Sequence, residues 1–192
     1  MHRYLGSLLL LGAITTMRLA AQSEPAAPHF EVAATYNAIR SNVIGSTSFS
    51  TQGGSVQVGG RFWRGLGVIT DVAGMHTGNV LSSGVGLDMI TATLGPRYTW
   101  LPARHKMSLF GQGLVGEASG FNSVFPSPSG ATSEAHGLAV LVGGGMNVNL
   151  SRRLGLRAIE ADWIRTQLPN STTGVQNNLR IGAGVVYRFG SE

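Results

Sequence analysis

Eight stretches of this chain alternate apolar residues with small or polar ones at a period of two, and the connections between them alternate short and long. The stretches cover residues 30–38, 55–63, 66–76, 89–100, 107–118, 136–150, 154–166 and 178–189, each bounded by Gly, Pro, Asn or Ser. A period of two puts successive side chains on opposite faces of a strand, whereas a helix needs 3.6. In the last stretch Leu179, Ile181, Ala183, Val185, Tyr187 and Phe189 share one face, and Arg180, Gly182, Gly184, Val186 and Arg188 share the other. Short connections fall around Arg64-Gly65, 101–106 and Ser151-Arg152-Arg153. The others, about 39–54, 77–88, 119–135 and 167–177, are longer and rich in Ser, Thr, Asn, Gly and Pro. Tight turns at one end and larger loops at the other, over an even strand count, predict an all-β fold: an eight-stranded antiparallel up-and-down transmembrane β-barrel.

The start of the chain bears on where such a barrel resides. Met1-His2-Arg3 is a short basic start, residues 4–17 are almost wholly apolar, and Leu19-Ala20-Ala21 forms a small-residue cleavage site before Gln22. This is the three-part pattern of a secretory signal. The apolar run is shorter than the ~20 residues of a membrane-spanning helix. Residues 1–21 therefore read as a signal peptide and 22–192 as the barrel domain, exported from the cell interior. Nothing in that mature part is long and apolar enough for a helical span, so entry into a membrane would be by strands. The net charge of +5 falls to +3 once Arg3 and Arg18 are removed, and the basic residues are scattered singly. No nucleic-acid-binding run results. With no cysteine, disulfides and thiolate metal sites are excluded.

The two faces of the strands indicate which side meets which medium. Aromatic residues Phe62, Tyr98, Trp100, Trp163, Tyr187 and Phe189 lie on the apolar face near strand ends, where amphipathic rings suit a bilayer interface. The other face carries small residues and single charges. The 28 glycines fit a narrow lumen with little room for side chains. A soluble eight-stranded barrel or sandwich has the same period and remains the alternative. Under the membrane reading, arginine at Val185 on the lipid face impairs insertion far more than serine at Gly182 on the lumen face.

Strand phase gives an inward polar set: Glu31, Gln57, Arg61, Asp71, Thr91, Thr93, Arg97, Asn147, Asn149, Glu160, Asp162, Arg180 and Arg188. It holds four carboxylates against four arginines. A balanced set makes sense because an unpaired buried charge costs several kcal/mol. Such a network is either a plug that fixes strand register or an ion-pair gate in a narrow conducting pore. Arg157 and Arg165 fall on the outward face near strand ends. In the fifth stretch Gln112 and Glu117 have opposite parity, so one of them faces inward.

Residues 179–189, Leu-Arg-Ile-Gly-Ala-Gly-Val-Val-Tyr-Arg-Phe, resemble the terminal strand of the small outer-membrane β-barrels of Gram-negative bacteria, the OmpA/OmpX-type superfamily. The stretch 158–163 is similar to that family's acidic, aromatic-bearing penultimate strand, and 144–148 to its sixth strand. The resemblance spans about residues 29–190. It implies an outer-membrane location, contact with outer-membrane lipid, and recognition of Tyr187 and Phe189 by the barrel-assembly machinery. Two departures stand out. Gly190-Ser191-Glu192 follow Phe189, and Asn147 replaces an interior acid common in the family, so any gate carried over is incomplete.

Other chemistry is weakly represented. Residues 111–116, Gly-Gln-Gly-Leu-Val-Gly, match a dinucleotide-binding glycine pattern that requires a following helix, and here a strand continues. Four mature histidines, His29, His76, His105 and His136, lie singly without metal-ligand spacing. No cofactor, metal or nucleic-acid partner is expected. Lipid-modifying barrels need His with Ser or Asp near the outer rim, and His76 with Ser82 and Ser83, or His136, supply only loose candidates. The reading is a monomeric, non-enzymatic scaffold exposing four outer loops to an unidentified surface ligand. Loops 39–54 and 119–135, and within them Phe121, Val124 and Phe125, are the expected contacts. A narrow ion-conducting pore and a rim enzyme are the alternatives.

Overall fold

The structure is a computed structural model that describes residues 29–41, 48–80, 84–101, 106–127, 130–170 and 173–189. The expected signal peptide, residues 1–21, lies outside the described residues. The described residues form ten strands: β1 (His29–Ser41), β2 (Phe49–Trp63), β3 (Leu66–Thr77), β4 (Leu87–Trp100), β5 (Met107–Phe121), β6 (Phe125–Ser127), β7 (Gly130–Thr132), β8 (Ala135–Asn149), β9 (Leu154–Thr166) and β10 (Gln176–Phe189). The eight long strands close in the order β1-β10-β9-β8-β5-β4-β3-β2. Every neighbouring pair is antiparallel, and β1 meets β10 from Phe30↔Phe189 to Arg40↔Leu179. Closure removes the edge on which another chain could pair. Among the described residues no helix is long and apolar enough to cross a membrane.

One end of the barrel carries tight turns. Between β2 and β3, Arg64 and Gly65 both take positive φ, 40° and 92°, the backbone of a two-residue hairpin turn whose twist matches the strands. Glycine is needed at 65 for a second reason, since a Cβ there would lie 2.4 Å from the Thr99 carbonyl oxygen. At the other end the strands run further than the sequence period indicates. β1 and β2 pair as far as Ser41↔Phe49, so most of the loop expected at 39–54 is sheet. The connection expected at 119–135 contains the β6–β7 hairpin.

The outward face is apolar around the whole circumference. Val56, Val72, Ile90, Leu94, Val115, Val142, Ile159, Ile181 and Val185 are all exposed there. Phe30, Phe62, Trp63, Tyr98, Trp100, Tyr187 and Phe189 crowd toward the turn end and are also exposed. Buried in the lumen are Asp71, Arg157, Glu160, Asp162 and Arg180, each 0% exposed. A barrel that hides ions and displays valines has the two faces of a soluble barrel exchanged, the arrangement required when hydrocarbon surrounds it.

The lumen is not uniformly polar, contrary to the expectation from strand phase. Above the charged level, toward the loop end, Ile39, Met75, Met89, Leu114, Leu141 and Ile164 pack with Phe125 and Leu168 into an apolar layer. Phe125, expected to project as a contact residue, is 6% exposed and closes the mouth. Its ring tip would lie 2.6 Å from a Cβ at Gly120, so the missing side chain there is what admits it.

Arg157 is the second correction. The uniform period places it outward, yet it is wholly buried. Asn147 and Gly145 of β8 pair with Arg157 and Glu160, and Gly184 and Gly182 of β10 pair with the same two residues. β9 thus holds one residue more than either neighbour in that interval. This β-bulge resets the parity, turning both Arg157 and Glu160 inward. Gly182 is a third. A Cβ there would lie 2.2 Å from Asn37 Oδ1, so serine at 182 is not a mild lumen change. Thr93, whose hydroxyl is buried without a hydrogen-bond partner among the described residues, is the better control. Val185→Arg is expected to cost ~2–4 kcal/mol of folding free energy in lipid vesicles. Thr93→Val, which removes an orphan hydroxyl at constant shape, is expected to stay within ~0.5 kcal/mol of the parent or above it. Urea titrations in vesicles measure both.

Candidate functional site

The charged level of the lumen is a single hydrogen-bonded body built from seven strands, with β1 attached through Glu31. Arg180 on β10 donates Nη1 and Nη2 to the two Asp71 oxygens on β3, each at 3.0 Å. Its Nε and Nη2 also donate to Asp162 Oδ2 on β9, at 3.0 and 2.8 Å. The fork-on-carboxylate geometry is the strong form of this pairing. Gln57 on β2 donates Nε2 to Asp71 Oδ2 and Glu160 Oε1, both at 2.7 Å, while its Oε1 accepts from Arg97 and Arg157. Gln112 on β5 repeats the device: Nε2 donates to Glu160 Oε1 and Asp162 Oδ1 at 2.9 and 3.0 Å, and Oε1 accepts from Arg97 Nε at 3.0 Å. Each glutamine therefore separates carboxylates from guanidinia, offering a donor to one and an acceptor to the other. Inward Gln112 and outward Glu117 resolve the parity of β5.

Arg157 donates to Glu160 Oε2 at 2.9 Å and to Asn147 Oδ1 at 3.1 Å. Arg97 on β4 donates to Glu31 Oε1 on β1 at 2.9 Å. Arg97 and Arg157 both lie against the Phe110 ring, 4.3 and 4.7 Å from its centroid, where the ring face attracts cations. Sequence reasoning did not single out Phe110; its inward parity was the available signal. Space for these side chains comes from β8. A Cβ at Gly143 would lie 2.1 Å from Asp162 Oδ1, and one at Gly145 would lie 2.8 Å from the Phe110 ring.

Of the expected interior residues, Asp71, Arg97, Asn147, Glu160, Asp162 and Arg180 are brought into this body, with Glu31 attached through Arg97. Arg61 and Arg188 sit apart, nearer the turn end, and are only half-buried. With Arg157 included, the described lumen carries five arginines against four carboxylates. The excess cation lies toward the turn end. There a cavity of about 460 Å3 opens, with Glu31, Arg61, Lys106, Arg152 and Arg188 on its walls.

At the opposite rim two histidines meet acids on the outward face. His76 Nδ1 is 2.5 Å from Asp88 Oδ1, and Asn122 donates to Asp88 Oδ2 at 2.6 Å. His136 Nδ1 is 2.9 Å from Ser119 Oγ and 3.1 Å from Glu117 Oε1. A serine-activating relay places nucleophile and acid on opposite imidazole nitrogens, whereas here both use the same one. Ser82 and Ser83 lie outside the described residues. Among the described residues no group of three or more potential ligands could hold a metal ion. Residues 111–116 continue as β5. Tyr187 and Phe189 pack edge to face, their centroids 4.7 Å apart, with Phe30 beside Phe189 at 6.0 Å. Val124 is fully outside and Phe121 half-buried.

Comparison with solved structures finds this architecture elsewhere. Ail, the attachment invasion locus protein of Yersinia pestis, is 18% identical with a TM-score of 0.57, over 85% of this chain and 99% of that one. Neisserial surface protein A is 13% identical with a TM-score of 0.63, over 83% and 97%. The outer membrane protein OprG of Pseudomonas aeruginosa is 13% identical with a TM-score of 0.54, over 86% and 97%. The fold is that of the small eight-stranded outer-membrane barrels. No protein-family model matches the chain, and no curated protein does either.

Removing Arg180 leaves Asp71 and Asp162 buried without their cation. Arg180→Met is therefore expected to destabilise the barrel by about 3–5 kcal/mol. Asp71→Asn in the same chain is expected to return part of that loss by removing one stranded charge. Guanidinium unfolding in detergent micelles reads both, and equal stability of Arg180→Met and the parent would contradict the network.

Proposed function

We propose that this protein is a non-enzymatic scaffold of the bacterial outer membrane, a sealed barrel whose loop end faces the surroundings and whose turn end faces the periplasm. The observation that carries this reading is the pairing of a continuous apolar exterior with a lumen closed at two levels. Ions and amides fill its middle, and the Phe125–Leu168 layer covers its outer mouth. A through-pore needs a continuous wet path, which these two layers oppose. Against the narrow-pore alternative stands the density of bonding in the network, in which Arg180 alone makes four hydrogen bonds to carboxylates. The outward Val124 and the β6–β7 hairpin provide the surface through which an external partner would be met, in place of the buried Phe125.

Charge distribution supports this orientation. No Lys or Arg occurs in residues 77–96, 118–151 or 166–179, whereas Arg64, Lys106, Arg152 and Arg153 cluster at the turn end. The test is membrane fractionation combined with proteolysis of intact cells. The protein should sediment with the outer membrane. Trypsin added outside should leave Arg64, Lys106, Arg152 and Arg153 uncut, and proteinase K should trim the loops. Tryptic cleavage at those four positions in intact cells would reverse the orientation, and recovery in the soluble fraction would remove the proposal. In planar bilayers the current should match that of lipid alone, and discrete openings would restore the pore reading.

A further inference from the structure

We propose that the turn-end vestibule of the lumen is a binding site for a phosphate-bearing anion. The cavity of about 460 Å3 is lined by Arg61, Lys106, Arg152, Arg188 and, as the one carboxylate among the described residues, Glu31. That volume lies within the usual range of small-molecule sites. Its chemistry is set by how the Glu31 carboxylate is shared. Arg97, part of the ionic body above, lies 2.9 Å from Oε1, and Arg188 Nε reaches only to 3.8 Å from Oε2. The acid is thus engaged by the deeper arginine, and Arg61, Lys106 and Arg188 lower on the wall outnumber it among the described residues. Arg61 Nε is buried and has no hydrogen-bond partner among the described residues.

The backbone beside Arg188 is cut back to make room for it. A Cβ at Gly155 would lie 3.2 Å from both Nη atoms of Arg188, so glycine lets that planar group lie over β9. Ser108, Asn147, Asn149 and Ser151 add neutral hydrogen-bonding groups to the wall. Guanidinia recognise oxyanions through two parallel N–H bonds, and phosphate is the favoured partner of such forks. A concave site with low-dielectric walls of one charge sign also concentrates counter-ions from solution. The plug of Arg97, Gln57 and Glu160 closes the inner end, so the anion enters and leaves by the same mouth. The site is a receptor and not a conduit. Two sources carry this chemistry: a free phosphorylated solute, and the headgroup of an anionic phospholipid from the adjoining leaflet.

The experiment uses purified, refolded protein in nanodiscs of phosphatidylcholine, titrated with pyrophosphate by calorimetry. Folding of every variant is checked by heat-modifiable gel mobility. One pyrophosphate per chain is expected, with affinity falling as salt rises. Arg61→Gln and Arg188→Gln should each weaken binding at least tenfold, Glu31→Gln should strengthen it, and Arg165→Gln at the far rim should leave it unchanged. Repeating the titration in phosphatidylglycerol nanodiscs separates the sources. Unaltered binding there identifies a free solute as the occupant, and competitive loss identifies the lipid headgroup. No binding at millimolar pyrophosphate in phosphatidylcholine, or binding indifferent to Arg61→Gln and Arg188→Gln together, overturns the proposal. Because the readout is on isolated protein, its failure is distinct from a failure of membrane location or orientation.

Discussion

Arg180, gripped by Asp71 on one side and Asp162 on the other, ties β10 to β9 beside it and to β3 across the lumen. The rest of the interior is arranged around that grip. Gln57 and Gln112 continue it to Arg97, Arg157 and Glu160. Backbone pairing alone fixes each strand only against its two neighbours. Cross-lumen bonds fix strands that do not touch, and a one-residue slip of any strand would rotate its charge out of the network. Register and charge pairing therefore depend on one another. This coupling also explains why so much buried charge is tolerated, since each ion has partners placed by the same register it enforces.

The exterior follows from the opposite requirement. Apart from the bulge in β9 and short interruptions near Phe62 and Pro96, the backbone groups of the eight long strands are directed sideways into the closed ladder, so the outer wall can be valine, leucine and isoleucine without stranding polar groups in an apolar medium. On the described strands, charged and histidine side chains face outward near the loop end, as Arg40, His76, Asp88, Glu117, His136 and Arg165. Aromatic rings gather at the turn end. The belt between them marks where hydrocarbon ends on either side.

Strand identity, alternation and the charged lumen were legible in the sequence because period two is a local property. Arg157 was not, since a bulge is visible only when β9 is laid against both β8 and β10. The parity of β5 was open for a related reason. Gln112 and Glu117 are both polar, and the choice between them was made by partners on other strands, with Glu160 and Asp162 satisfying one and His136 meeting the other. Phe125 read as a loop aromatic. It is buried because Gly120 and Leu168, one before it and one far after it in the chain, leave a place for its ring. The excess of one arginine over the carboxylates of the described lumen also followed from the bulge, because turning Arg157 inward broke the apparent balance of four against four.

The lumen is thus graded along its axis: apolar and shut at the loop end, ionic and shut in the middle, basic and open at the turn end. The central claim is that the valine-rich face lies against hydrocarbon. Because the chain contains no cysteine, single cysteines carrying a nitroxide can be placed at will in the vesicle-inserted protein. Spin labels at Val142→Cys, Ile181→Cys and Val72→Cys should relax strongly with dissolved oxygen and weakly with a water-soluble nickel chelate. Labels relaxed by the chelate and shielded from oxygen at these three positions would contradict the account.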